Sequence, residues 1–198
     1  MSKQDLFHAT LMPDQDWWQA LWPDPAAVLR TVGIKPGMDV VDLCCGDGLF
    51  TRPMCELVFP AKTWALDLDA DLLEQAQKAC RDNSNLHVIA GDARELVNTI
   101  DHPVDFIFIA NTFHGVPEKT ELARAAHQSL REDGHFAVVN WSPQPREETT
   151  VLGQPRGPDT ELRMHPDDVQ RFVEAAGFKL EQLVDVGPYH YGAVFLKV

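Results

Sequence analysis

Four short stretches place carboxylates, glycines and a histidine where they could grip and work on a small ligand. DLCCGDG at 42–48 holds Asp42, Gly46 and Gly48 directly after an apolar run. Glycine there permits a sharp turn and close approach of a ligand to the main chain. A helix that follows such a loop turns its amides toward it, a favourable place for a carboxylate or phosphate. Asp42 could hold loop amides or reach a cationic group. Asp67 lies 21 residues beyond Gly46, and a carboxylate at that point can accept from both hydroxyls of a ribose. Gly91-Asp92-Ala93 is the third stretch. The fourth, ANTFHGV, carries His114, a group that titrates near neutrality and is the first choice for a proton acceptor.

Alternating elements must position these residues. WPDPAAVLRTVGI opens a helix, with Asp24 as its cap and Pro25 in its first turn. MDVVDLC then reads as a strand, GLFTRPMCELV as a helix, TWALDLD as a strand and ADLLEQAQKACRD as a helix. NLHVIAG is a strand, ARELVNTI a short helix, VDFIFIA a strand, PEKTELARAAHQSLRED a helix and HFAVVNW a strand. Near-continuous apolar strands suit a parallel sheet covered on both faces, so the alternation predicts a doubly wound α/β domain. Residues 142–165 contain four prolines and no periodicity, the mark of a functional or mobile loop. PDDVQRFVEAAG reads as a helix with Gly177 as C-cap. KLEQLVDV and YGAVFLKV, separated by GPYH, read as an antiparallel pair closing the sheet.

The 198 residues suffice for one domain, 1–198, with a full core. A net charge of −13 repels phosphate backbones and anionic lipid, which argues against nucleic acid or membrane partners. The N-terminus shows no signal-peptide pattern, and no apolar run approaches the roughly 20 residues of a membrane helix. Cys44, Cys45, Cys55 and Cys80 lack CxxC spacing, and His87 and His102 show no ligand pattern. A cytoplasmic protein with reduced thiols and no metal is expected.

A dinucleotide fingerprint, GxGxxG, would need glycine at 44 and 49, where Cys44 and Leu49 stand. An NAD(P)-dependent oxidoreductase is therefore the weaker reading. The loop instead resembles motif I of class I S-adenosylmethionine (SAM)-dependent methyltransferases, D/E-x-G-x-G-x-G. Asp42, Gly46 and Gly48 match, and Cys44 departs at the first glycine. The resemblance covers residues 37–140. It implies a Rossmann-like seven-stranded sheet, mostly parallel with an antiparallel last strand. It also implies SAM as methyl donor, S-adenosylhomocysteine as product, and Asp67 on the ribose with Leu68 packing on adenine. Asp92 would accept from the adenine amino group, the Ala93 amide would donate to the ring, and Asn111 would lie near the methionine part. Within the superfamily the chain is similar to small-molecule methyltransferases grouped with ubiquinone and menaquinone biosynthesis. Competing readings make Asp67, Asp69 and Asp92 helix caps, Cys44 and Cys45 small buried residues, and the whole chain a non-catalytic SAM sensor.

Residues 1–23, loop 142–165 and GPYHY at 187–191 remain to build an acceptor pocket. None is large enough to bind a macromolecule, so a small-molecule acceptor is expected. Trp17, Trp18 and Trp22 could form a lid that excludes water or simply cover the sheet edge. Trp18, Trp141, Tyr189 and His190 are the candidate substrate contacts, although hairpin packing also suits the last two. His8, His165 and His190 are alternative proton acceptors. Arg156 and Arg163 could recognise an anionic substrate or be solvated.

Overall fold

The computed structural model describes Phe7 and residues 10–198. His8 lies outside the described residues. In chain order the helices are α1 (Gln15–Leu21), α2 (Pro25–Thr31), α3 (Thr51–Val58), α4 (Ala70–Ala79), α5 (Lys119–Ser129) and α6 (Pro166–Glu174). The strands are β1 (Val40–Leu43), β2 (Thr63–Asp67), β3 (Leu86–Ala90), β4 (Val104–Ala110), β5 (Leu130–Trp141), β6 (Thr150–Val151), β7 (Gln154–Pro155), β8 (Phe178–Gly187) and β9 (His190–Lys197).

Seven strands form one sheet in the order β3-β2-β1-β4-β5-β9-β8, and β6 and β7 pair separately. Strands β1 to β5 run parallel to one another; β9 runs antiparallel to both β5 and β8. The sheet is the doubly wound, Rossmann-like one expected, with its last strand reversed. Strand order changes direction between β1 and β4, which opens a crevice at their carboxyl ends.

Alternating side chains serve both faces of each strand. Phe106 and Phe108 of β4 pack with Trp18, Leu29 and Met54 from α1, α2 and α3. Ile107 and Ile109 pack on the other face with Leu122 of α5 and Val169 and Val173 of α6. Asp24 caps α2 by accepting from the Ala27 amide at 2.9 Å, with Pro25 opening the helix. Among the described residues no helix is long and apolar enough to cross a membrane.

The N-terminal segment, where no element was expected, holds α1, which carries Trp17 and Trp18 on its buried side. Two expectations need correction. Helix α5 stops at Ser129 rather than Asp133: Leu130 pairs with Val104 and Asp133 takes a left-handed φ of 61°. The C-cap of α6 is Ala175, and Gly177, at φ 99°, makes the turn into β8.

Loop 142–165 is also more built than its sequence implies. The buried Arg163 donates to the Pro158, Gln144 and Arg156 carbonyls and to the Thr149 hydroxyl, at 2.9 to 3.2 Å. One side chain thus bolts the β6–β7 hairpin and its flanking turns together. The arrangement follows no helical or strand period, so no pattern in the sequence announces it.

Candidate functional site

Strand β1 delivers Asp42 to the crevice. Its carboxylate is buried and accepts the Thr51 hydroxyl of α3 at 2.6 Å. Burial pushes the Asp42 pKa up to about 7; the Thr51 hydrogen bond opposes this, and the charges of Asp67 and Asp47 add to it.

The loop after β1 turns through three left-handed residues, Cys44 at φ 60°, Gly46 at 57° and Gly48 at 87°. That conformation is free for glycine and strained for other L-residues, which is the physical reason a glycine is usual at position 44. Burial pushes the Cys44 and Cys45 thiols up, so both stay protonated and serve neither as thiolate ligands nor as nucleophiles. Among the described residues no group of three His, Cys, Asp or Glu side chains could hold a metal ion.

Asp67, at the end of β2, ties the loop in place. One oxygen accepts from the Gly46 amide and the other from the Asp69 amide, both at 2.9 Å. Each oxygen keeps a second acceptor site for a ligand hydroxyl. Asp69 caps α4 through the Asp71 and Leu72 amides. Asp92 accepts from the Arg94 amide and pairs with its guanidinium, which holds its carboxyl below the usual range.

These residues meet in one cleft of about 810 Å³, within the size range of small-molecule sites. Asp42, Cys44, Gly46, Asp67, Leu68, Asp92, Ala93 and Asn111 line it, as do His114, Trp18 and Trp141. Gly48 does not: a Cβ there would lie 2.8 Å from Ala76 Cα, so Gly48 lets the loop pack against α4. Tyr189 and His190 also lie off the wall. Tyr189 donates its hydroxyl to the Thr150 carbonyl at 2.9 Å and stacks on Trp141. His190 is buried between the Trp22 and Trp141 rings, with Nε2 2.9 Å from Asn111 Oδ1. Burial, then the Arg163 charge, pushes its pKa well down, so this imidazole is neutral. With Nε2 donating to Asn111, it presents that amide to the cleft.

His165 caps α6 from an exposed position, outside the cleft. Arg163 is the loop bolt, and its guanidinium covers the outer face of Trp141 at 5.0 Å. Arg156 does reach the cleft, over the Trp17 ring at 5.2 Å. Sequence reasoning missed Phe50, Met12 and Arg146, which also line it. Phe50 directly follows the glycine loop and was within reach of inspection. Met12 and Arg146 arrive from distant segments with no local signal.

The sequence model of a family described as Methyltransferase domain matches residues 40–134. A demethylmenaquinone methyltransferase of Staphylococcus aureus (strain JH9) is 25% identical over 116 residues, 58% of this chain and 48% of that relative. The chain therefore spans about half the length of the curated relatives it matches. A SAM-dependent methyltransferase from Aquifex aeolicus superposes with a TM-score of 0.78 at 25% identity, over 93% of this chain and 94% of that one. Magnesium protoporphyrin IX methyltransferase from Synechocystis PCC 6803, solved with bound SAM, gives 0.66 at 13% identity, over 92% and 90%. The fold is that of a Rossmann-like methyltransferase. By sequence model and fold together, the chain is similar to the class I SAM-dependent methyltransferases, whose cofactor is SAM.

The cleft fits that cofactor on its own chemistry. Asp47, Asp67, Asp69 and Asp92 line it and suit a ribose, a sulfonium and an ammonium. Gly46 leaves the main chain open, faced only by the Met12 sulfur 3.1 Å from where a Cβ would stand. Asn111 Nδ2 is buried without a partner among the described residues, a donor free for a ligand oxygen.

Proposed function

We propose that this chain transfers a methyl group from SAM to a small-molecule acceptor. One observation carries the reading: a single cleft joins the carboxylates and glycine loop at the ends of β1, β2 and β3 to the aromatic wall of Trp18, Phe50 and Trp141. When bound, SAM supplies an electrophilic methyl group. Asp67 would hold the ribose, Leu68 and Ala93 the adenine with Asp92 at its edge, and Asn111 the methionine part, its amide fixed by His190. Asp42, behind the loop, and Cys44 and Gly46, within it, shape the cradle. His114, on the turn after β4, would take the acceptor's proton.

The acceptor would lie between α1 and loop 142–165. Phe7 and residues 10–23, the described part of the 1–23 segment, would act as a lid, with Met12 over Gly46 and Trp17 and Trp18 toward the cleft. Water exclusion of that kind strengthens the electrostatics of a displacement at a charged sulfur. Tyr189 and His190 would act one layer back, by supporting Trp141 and Asn111.

Calorimetry with S-adenosylhomocysteine and SAM tests the cofactor half of this reading. Micromolar affinity, about −8 kcal/mol, is expected, and Asp67→Ala should weaken it by removing both the ribose acceptor and the Gly46 amide bond. A folded protein that binds neither ligand overturns the proposal.

A further inference from the structure

Seven of the ten arginines, Arg30, Arg52, Arg81, Arg94, Arg124, Arg131 and Arg171, stand within ion-pair distance of a carboxylate. The other three, Arg146, Arg156 and Arg163, have no such partner among the described residues, and all three belong to loop 142–165. Lysines such as Lys35 and Lys179 also lack such a partner, but among the arginines the exceptions are confined to this one loop. Arg163 satisfies itself on four oxygens of the loop. Arg146 spends only its Nε, on the Gly157 carbonyl at 3.0 Å. Among the described residues Arg156 has no side-chain hydrogen-bond partner, and its Nε is buried. Both line the cleft. Asp14 and Asp159 line it too, yet neither pairs with either guanidinium.

Resting on the methyltransferase reading, we propose that the acceptor carries a carboxylate, which Arg156 grips with Arg146 beside it, while its planar body lies against Trp18, Trp141 and Phe50. A guanidinium fork matches a carboxylate with two parallel hydrogen bonds, and an unpartnered buried N–H is costly until an acceptor arrives. A carboxylate suits this end better than a phosphate. The two arginines bring no lysine among the cleft residues, and a dianion meets stronger repulsion from an acidic surface. The cleft is then divided by charge, with carboxylates around the cofactor and guanidiniums around the acceptor. Arg163 already feels this crowding: burial, then the neighbouring charge of Arg146, pushes its pKa down.

The test is a calorimetric and NMR comparison of aromatic carboxylates, each paired with its neutral primary amide and its aryl phosphate analogue. Each is measured with and without S-adenosylhomocysteine. Carboxylates should bind at least about tenfold more tightly than their amides, as expected for a charge-assisted bidentate contact. Arg156→Gln should abolish that preference and leave S-adenosylhomocysteine affinity within about twofold, and Arg156→Lys should restore part of it, since charge survives without the fork. Circular dichroism confirms that each variant is folded. Equal binding of amides, preference for the phosphates, no binding by any carboxylate, or an unchanged Arg156→Gln protein overturns the proposal. Failure to bind S-adenosylhomocysteine would instead overturn the methyltransferase reading, and the carboxylate–amide comparison without it still decides the anion site.

Discussion

Replacing Asp42 with asparagine should change stability in opposite directions at low and high pH. The Asp42 carboxyl is buried beneath the glycine loop with the Thr51 hydroxyl as its hydrogen-bond donor. Its pKa stands at about 7 against an ordinary 3.8, raised chiefly by burial. The folded state therefore holds a proton that the unfolded chain has already released, and stability falls as pH rises between those two values. Below the lower value the penalty is absent; above the upper it is complete, about 4 kcal/mol for a shift of this size. The asparagine variant carries no ionisation penalty and still offers an oxygen to Thr51. Its new amide nitrogen, left without an acceptor, costs about 1–3 kcal/mol at any pH. The variant should thus be more stable than the parent by about 1–3 kcal/mol near pH 8, and less stable by a similar amount near pH 3. Urea denaturation followed by fluorescence of the buried tryptophans measures both. A variant less stable than the parent at both pH values, or a parent that gains stability relative to it on going from acid to alkali, refutes the reasoning.

Cys44→Gly should relieve a left-handed residue and raise stability by about 1 kcal/mol, seen as a higher melting temperature, while S-adenosylhomocysteine affinity stays unchanged; lost binding in a folded protein would mean that the cysteine itself contributes. His114→Ala should lower turnover of a proton-bearing acceptor by about 10²–10⁴-fold with little effect on cofactor affinity, and unchanged turnover removes His114 from the chemistry. Arg163→Lys keeps the charge but not the four-pointed grip, so the amide of Arg156, now bonded to the Thr149 carbonyl, should exchange its hydrogen faster. Unaltered exchange across 142–165 would show that the hairpin holds without the bolt.

Much of the cleft wall at the ends of β1, β2 and β3 was legible because its signals are local. Glycines at 46 and 48, an acid at the end of β2 and a cap at Asp69 act on backbone within a few residues of themselves, so type and spacing reveal them. The same holds for β1 to β5, whose apolar runs have one packing solution in a doubly wound sheet. The boundary at Ser129 was not legible, because helix propensity continues through Arg131 and Glu132. There the pairing of Leu130 with Val104, and of Arg131 with Asp105, overrides it.

The sequence by itself determined the sheet, the glycine turn after β1 and the acids that line the cleft beside it, since each depends on main-chain conformation at short range. Only the tertiary structure decided how the residues toward β9 and loop 142–165 are held. Asn111 and His190 are 79 positions apart and become partners when β9 slots beside β5. Gly48 proved to be a packing glycine because Ala76 of α4 lies against it. Arg156 and Arg163 read alike, as anion-recognising or solvated cations in a proline-rich loop, yet Arg163 is locked onto loop oxygens and Arg156 lines the cleft. That difference comes from which carbonyls the folded hairpin brings within reach, a matter of three-dimensional proximity that no spacing along the chain encodes.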